Sequence, residues 1–206
     1  MEQTKQYEYV DLGLPSGLKW AKCNVGAETE TDYGYYFQWG DIVDKSNADC
    51  SWATYKYCKG FYDNLTKYNT STNYGENPDN KTTLDPVDDA ARANMGGDWR
   101  MPTLTEIQEL LDNTDKEWIK DYNGTGVNGR KFTSKTDTSK CIFFPAAGLR
   151  SGSLSFYQGC FCDVWSCSVN ILDPFNAWDL DFSSGNFLVA YMSRGYGLSV
   201  RGVLTK

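Results

Sequence analysis

The sequence predicts an α+β domain built mostly from short antiparallel strands, with two helices and long irregular connections. Three observations carry that expectation. Apolar residues recur at helical spacing in only two stretches, around 85–96 and 103–111. Several other runs alternate apolar with polar residues, or are dense in the aromatic and β-branched side chains that suit a pleated surface. Nineteen glycines punctuate these runs and supply turn conformations that other residues adopt only with strain. A chain of 206 residues with 40% hydrophobic content can close one core, so a single domain over 1–206 is expected.

Residues 7–10 alternate weakly and read as a first strand, closed by the turn Gly13-Leu14-Pro15-Ser16-Gly17. Residues 18–24 set Leu, Trp and Ala against Lys, which makes a half-buried partner strand in a hairpin. The aromatic run 35–39 is a third strand. Residues 42–84 are polar and rich in Asn, Thr and Tyr, and are expected to form a surface excursion with little regular structure. Their sequons at Asn64, Asn69 and Asn80 are read as products of that composition. Asp85-Pro86 places a capping carboxylate before a first-turn proline, and Asp88 and Asp89 are read as charges favoured at a helix N-terminus rather than as metal ligands or an acid/base pair. Gly96-Gly97 ends that helix. Thr103-Leu104-Thr105-Glu106 has capping-box spacing, and Leu104, Ile107, Leu110 and Leu111 form one buried stripe behind it. Strands are expected at 126–133, 140–144 (a central one), 164–168, 177–182 and 198–203, with 169–175 and 187–196 as irregular loops.

Composition removes several function classes. A net charge of −7 argues against a nucleic-acid footprint, which needs clustered Lys and Arg. The apolar runs are too short to span a membrane, and Met1-Glu2-Gln3-Thr4-Lys5 opens no signal-peptide core, so either the protein is not exported by that route or a leader has been replaced. Histidine is absent, which excludes Ser-His-Asp chemistry and His-ligated metals. Of seven cysteines, Cys50 and Cys58 form either a bridge or two free thiols. Cys160, Cys162 and Cys167 have no fourth ligand at zinc spacing. No metal or cofactor is expected.

The last quarter has a restricted alphabet. Residues 159–205 contain no Lys, Glu or Gln, whereas the first 158 residues hold 13 Lys, 8 Glu and 5 Gln. Strand composition lowers Lys and Glu but does not readily remove all three.

The motifs YVDLGLPSGLKWAKCNVGA (9–27), DYGYYFQWGD (32–41), SWATYKYC (51–58), LTKYN (65–69), DPVDDAARANMGGDWRMPTLTEIQELL (85–111), FFPAAGLRSG (143–152), AWDLDFSSG (177–185) and GLSVRGV (197–203) together resemble the Fibrobacter succinogenes major paralogous domain. That family is similar to C-type-lectin-fold proteins and, more distantly, to formylglycine-generating enzymes. The resemblance implies a C-type-lectin-like (formylglycine-generating-enzyme-like) fold: a small twisted antiparallel sheet, two helices and long irregular loops. The family's tyrosine-tryptophan-serine-serine motif stands here as Val164-Trp165-Ser166-Cys167. Retained anchors with altered residues between them resemble the variable proteins of diversity-generating retroelements. Adenine-directed mutation of Asn codons there cannot yield Lys, Glu, Gln, Met or Trp. Residues 169–175 obey that restriction, and 187–196 obey it except for Met192.

The resemblance makes 149–204 the candidate variable region of a non-enzymatic binding protein on a virion or bacterial cell surface, with a protein or glycan ligand and an oligomeric state left open. Its candidate ligand-binding residues are Phe156, Cys160, Cys162, Asp163, Ile171, Leu172, Asp173, Phe175, Asp179, Phe187, Val189, Ala190, Tyr191, Ser193 and Tyr196. Ile171, Phe175, Val189, Tyr191 and Tyr196 should be exposed on one face. Trp165, Trp178, Leu180, Phe182, Leu198 and Val200 carry strand alternation and are expected in the core. Arg194 and Arg201 are expected as scaffold partners. The alternative is an invariant adhesion or carbohydrate-binding module of the same family, without calcium since no suitable carboxylate–amide triplet stands out. A thiol oxidase using Cys162 and Cys167 is disfavoured by flanking residues that do not match.

Overall fold

The computed structural model describes residues 6–205, and they form a mostly-β α+β fold with two α-helices and several small antiparallel sheets. The first hairpin, β1 (Tyr9–Asp11) and β2 (Lys19–Ala21), is joined by the chain's last strand, β13 (Val203–Leu204), in the order β1-β2-β13. Gly17 N–H closes the intervening turn on Leu14 O at 2.8 Å. Strand β3 (Phe37–Gln38) opens a second sheet ordered β3-β12-β7-β8, with β7 at Leu149–Ser151, β8 at Leu154–Phe156 and β12 at Gly197–Leu198. A third sheet holds β4 (Thr114–Ile119), β5 (Gly129–Ser134) and β6 (Cys141–Pro145) in sequence order. The largest strands are in the fourth, ordered β11-β10-β9: β9 is Phe161–Val169, β10 Asn176–Ser183 and β11 Phe187–Ser193.

Helix α2 (Leu104–Asn113) begins as its sequence requires. Thr103 accepts from Glu106 N–H while Glu106 accepts from Thr103 N–H, so the capping box is complete. Ile107, Leu110 and Leu111 are buried, whereas Leu104 is half-buried and gives its N–H to Ser168 Oγ at 3.2 Å. Helix α1 is shorter than expected. Pro86–Asp88 is a 3-10 turn, α1 spans Ala90–Met95, and its cap is Asp89, which accepts from Arg92 N–H at 2.9 Å. Asp85 caps nothing through its side chain.

The core divides across the β9–β10 pair. On one side Cys162, Val164, Leu180 and Phe182 pack with the α2 stripe, Phe132, Ile142 and Phe144. On the other, Trp165, Cys167, Val169 and Ala177 pack with Trp39, Tyr55, Tyr57 and Tyr68. Trp165 Nε1–H donates to Phe37 O at 2.7 Å and Trp39 Nε1–H to Ser166 O at 2.8 Å. Each indole therefore buries its ring without orphaning its polar edge.

Several expectations need correction. One sheet was expected and four small ones form, because many short strands meet only two neighbours at most. β4, β7 and β8 lie where no strand was expected. β6 is an edge of its ladder, yet buried after its first residue, so its apolar run reflects burial on both faces rather than a central position. The expected strand at 198–203 splits between β12 and β13, which belong to different sheets. Residues 187–196 contain β11, a regular strand. Trp178 is half-buried rather than core. Cys50 and Cys58 are free, as are the other five cysteines.

Residues 42–84 are irregular, with one 3-10 turn at Thr72–Tyr74, but they are more than a surface excursion. Tyr55, Tyr57, Leu65 and Tyr68 are buried. Asp88, read from sequence as a helix-terminus charge, holds this layer in place. It lies 2.9 Å from Lys56 Nζ and 2.5 Å from Lys67 Nζ, and accepts from Tyr68 OH at 2.6 Å. Burial alone would raise its pKa, but hydrogen bonds from Lys67, Tyr57, Tyr68 and Lys56 outweigh burial and hold it well below the usual carboxylate range.

Asp88→Asn is therefore expected to destabilise the fold by about 2 kcal/mol near neutral pH, because the buried Tyr57 and Tyr68 and the partly buried Lys67 lose a charged acceptor. A carboxylate with a depressed folded pKa stabilises above its unfolded pKa and loses that contribution as pH falls through the folded value. The gap between wild type and variant should shrink below about pH 4, as urea denaturation across pH will read.

Candidate functional site

The candidate region is the β9–β10–β11 sheet with the 170–175 loop. Strand alternation settles which side chains share a face. Phe187, Val189 and Tyr191 lie on the α2 side with Leu180 and Phe182, and Leu188, Ala190 and Met192 on the other with Asp179 and Asp181. Val189 packs against the α2-side core. Phe187 has Lys116 Nζ 5.0 Å and the Arg130 guanidinium 4.8 Å from its ring centroid. Tyr191 is 51% exposed and meets Trp178 edge-on at 5.5 Å.

Ile171 and Leu172 form the tip of the 170–175 loop and are 57% and 82% exposed. The loop is braced rather than free. Asn170 Oδ1 accepts from Leu172 N–H at 3.1 Å and from Asp173 N–H at 3.4 Å. Thr70 Oγ1 donates to Ile171 O at 2.8 Å, and Tyr74 OH to Asp173 Oδ1 at 3.0 Å. Phe175 is half-buried, its ring 5.5 Å from Tyr62 and 5.3 Å from Tyr74.

The single shared face expected for Ile171, Phe175, Val189, Tyr191 and Tyr196 does not form. Ile171 and Tyr191 are exposed, whereas Phe175, Val189 and Tyr196 are half-buried, and Phe175 and Tyr196 pack on the opposite core from Val189. Of the remaining candidates, Cys160 and Phe187 are exposed, and Phe156, Asp173, Ala190 and Ser193 are half-buried. Cys162, Asp163 and Asp179 are fully buried, which corrects the expectation that they line a surface. They lie on long strands whose neighbours cover both faces.

The two thiols of the oxidase reading also separate. Cys162 belongs to the α2-side core and Cys167 to the other, because five residues along a strand reverse the face. Burial pushes each thiol up to about 12, which suits inert structural cysteines.

Sequence reading missed the aromatic side chains of 42–84 that flank the loop. Tyr62 is 48% and Phe61 66% exposed, Trp52 lies 6.4 Å from Tyr62, and Tyr74 contacts Phe175. The signal was the tyrosine and tryptophan density of a segment too polar to read as core or site.

Asp163 and Asp179 are chemically unusual. Neither carboxyl meets an N–H or O–H donor among the described residues. Asp163 stands opposite Asp181 across the ladder. Burial first, and then the charge of Asp181, push Asp163 well above the usual carboxylate range. Asp179 is raised in the same direction by burial and by Asp163 and Asp181. Burial raises Asp181 as well, so all three carboxyls are pushed toward the neutral form. A cleft of about 510 Å³ lies elsewhere, beside Glu8, Lys22, Cys23, Glu30 and Tyr122, and includes no candidate residue. No protein-family model, curated protein or solved structure matches the chain significantly.

Raised folded pKa values reverse the pH argument made for Asp88. The stability such groups contribute is present below their unfolded pKa, about 4, and is lost as pH rises toward the folded value. Asp163→Asn and Asp179→Asn are therefore expected to gain on the order of 1–3 kcal/mol over wild type at pH 8 and much less at pH 4. Urea midpoints at the two pH values measure this, and equal losses at both would show that the carboxylates are paired.

Proposed function

We propose that this chain is a non-enzymatic ligand-binding protein on a C-type-lectin-like scaffold, with residues 149–204 diversified by a retroelement. The reading rests on the resemblance to the Fibrobacter succinogenes major paralogous domain and to retroelement variable proteins. One observation carries it furthest. The stretch that lacks Lys, Glu and Gln also supplies the exposed apolar positions Ile171, Leu172, Phe187, Leu188 and Tyr191, while Trp165, Leu180, Phe182, Arg194, Leu198, Val200 and Arg201 between them are buried. Buried anchors keep the frame, and the intervening positions tolerate exchange. Exposed aromatic and aliphatic side chains on a rigid frame give large contact areas at small entropic cost, and Tyr adds a polar tip. The ligand is a protein or glycan on a cell surface, and the protein acts on a virion or bacterial surface.

The Tyr62–Phe175–Tyr74 ring cluster favours a second reading, an invariant carbohydrate-binding or adhesion module in which aromatic faces stack on sugar rings. The neighbouring DNA distinguishes the two. Diversification requires a near-copy of the segment encoding 150–204 that differs almost only at adenines, beside a reverse transcriptase gene. Differences spread over all four bases would leave the invariant reading.

Positions free to vary must also be cheap to vary. Leu172→Ser and Tyr191→Ser are each expected to change unfolding free energy by less than about 0.5 kcal/mol. Phe182→Ser should cost several times more, all three being read from chemical denaturation.

A further inference from the structure

The two outer edges of the β11-β10-β9 sheet differ. Along β9, Cys167 N–H donates to Pro102 O at 2.8 Å, Val169 N–H to Thr82 O at 3.0 Å and Trp165 N–H to Ser199 O at 3.0 Å, with further bridges from Thr83, Gly148 and Ser199. Along β11 no bridge or strand covers the outer side among the described residues.

The register says which backbone groups are left open. Ser183 N–H donates to Asn186 O at one end of the hairpin and Arg194 N–H to Phe175 O at the other, both at 3.0 Å. Both pairs continue the register that sets Asp179 opposite Ala190 and Asp181 opposite Leu188. Hydrogen-bonded and open pairs alternate along an antiparallel ladder. Leu188, Ala190 and Met192 therefore bond inward to β10, and Phe187, Val189 and Tyr191 turn their N–H and C=O groups outward. The free row ends at Ser193, whose carbonyl accepts from Tyr196 N–H at 3.0 Å.

Edge strands are usually blunted by Lys, Pro, a bulge or a covering segment, since a bare edge is a template for another strand. The run FLVAYMS has no charge, no Pro and no Gly, and its pairing with β10 is regular from Asn176 to Phe182. Among protein partners, groups presented at two-residue spacing are matched by an extended backbone, which displaces the water that otherwise meets them.

We propose that a second copy of this chain pairs antiparallel along β11, about a two-fold axis through the two Val189 residues. Self-complementarity selects this occupant. In that register Phe187 of each copy stands opposite Tyr191 of the other, and Leu188 opposite Ala190. Aromatic pairs across strands are stabilising, and like charges directly opposite would be destabilising. None occurs here, although the chain carries a net charge of −7. Tyr191 and Leu188 are 51% and 42% exposed, so each has area left to bury. The interface is isologous and closes as a dimer. The pairing covers Phe187, Leu188 and Tyr191, three of the five exposed positions offered above to a ligand, so in the dimer the loop tip at Ile171 and Leu172 is what remains open to one.

Sedimentation equilibrium from roughly 1 µM to 500 µM covers the affinities expected of such an interface, and should show a monomer–dimer equilibrium. Hydrogen exchange over the same range should slow at the amides of Phe187, Val189 and Tyr191, with no matching change at Leu188 and Ala190. Tyr191→Pro removes an outward donor but no inward bond, and should weaken dimerisation at least about tenfold while the thermal midpoint stays near wild type. Leu188→Lys provides a second variant should the proline prevent folding: it brings two like charges to diagonal positions across the axis and should weaken the dimer as well. Leu154→Lys, at an exposed site on β8, should leave it intact. A monomer throughout, a dimer indifferent to both β11 variants, or protection confined to other segments would overturn the proposal. An extended segment of a different protein as the true occupant would give the first of these results.

Discussion

The Arg194 guanidinium is the contact on which the candidate region depends. It is fully buried, and among the described residues no carboxylate pairs with it. Its Nε–H donates to Tyr55 OH at 2.8 Å, one terminal nitrogen to Tyr68 O at 3.0 Å and Pro174 O at 2.6 Å, and the other to Lys67 O at 3.0 Å. The ring of Trp39 lies 4.8 Å away and that of Tyr55 5.2 Å. A buried cation is costly unless its donors are met, and a planar fork with five donors can meet several carbonyls at once. These bonds draw the irregular 55–68 layer, the 170–175 loop and the end of β11 onto one group. The exposed loop tip at Ile171 and Leu172 has a fixed base for that reason.

Arg201 repeats the arrangement between the first hairpin and β6. It donates to Asn24 Oδ1 at 2.8 Å and to the carbonyls of Ala21, Lys22 and Phe143 between 2.6 and 3.0 Å, over the Phe144 ring. Burial lowers its pKa to about 10. The C-terminal chain thus reaches back to the first hairpin and to β6. Both arginines act through carbonyl dipoles, so neither brings a second buried charge. The carboxyls of Asp163 and Asp179 have the reverse situation, buried without donors. The sheet that carries the candidate residues is anchored through its arginine and holds unpartnered carboxyls at the β9–β10 centre.

Parts of this protein were legible locally. The Thr103–Glu106 capping box, the β1–β2 hairpin, the alternation through Leu180 and Phe182 and the scaffold role of both arginines each follow from residues a few positions apart, or from the cost of burying a charge. β11 was misread because its apolar residues on both faces give no period-two signal. Asp88 was misread because a carboxylate before a helix has one meaning locally and another when Lys56, Lys67 and Tyr68 arrive from elsewhere.

The class of the fold, the two helices, most anchor residues and the restricted alphabet of 159–205 follow from spacing and composition, which are properties of the chain alone. Which of the unusual residues face outward depends on packing between distant elements. The fold buried Cys162, Asp163 and Asp179, set Val189 and Ala190 on opposite sides of one strand, and brought Tyr62 and Tyr74 beside Phe175. Burial is conferred by surfaces from distant stretches, and no local pattern encodes which surface will arrive.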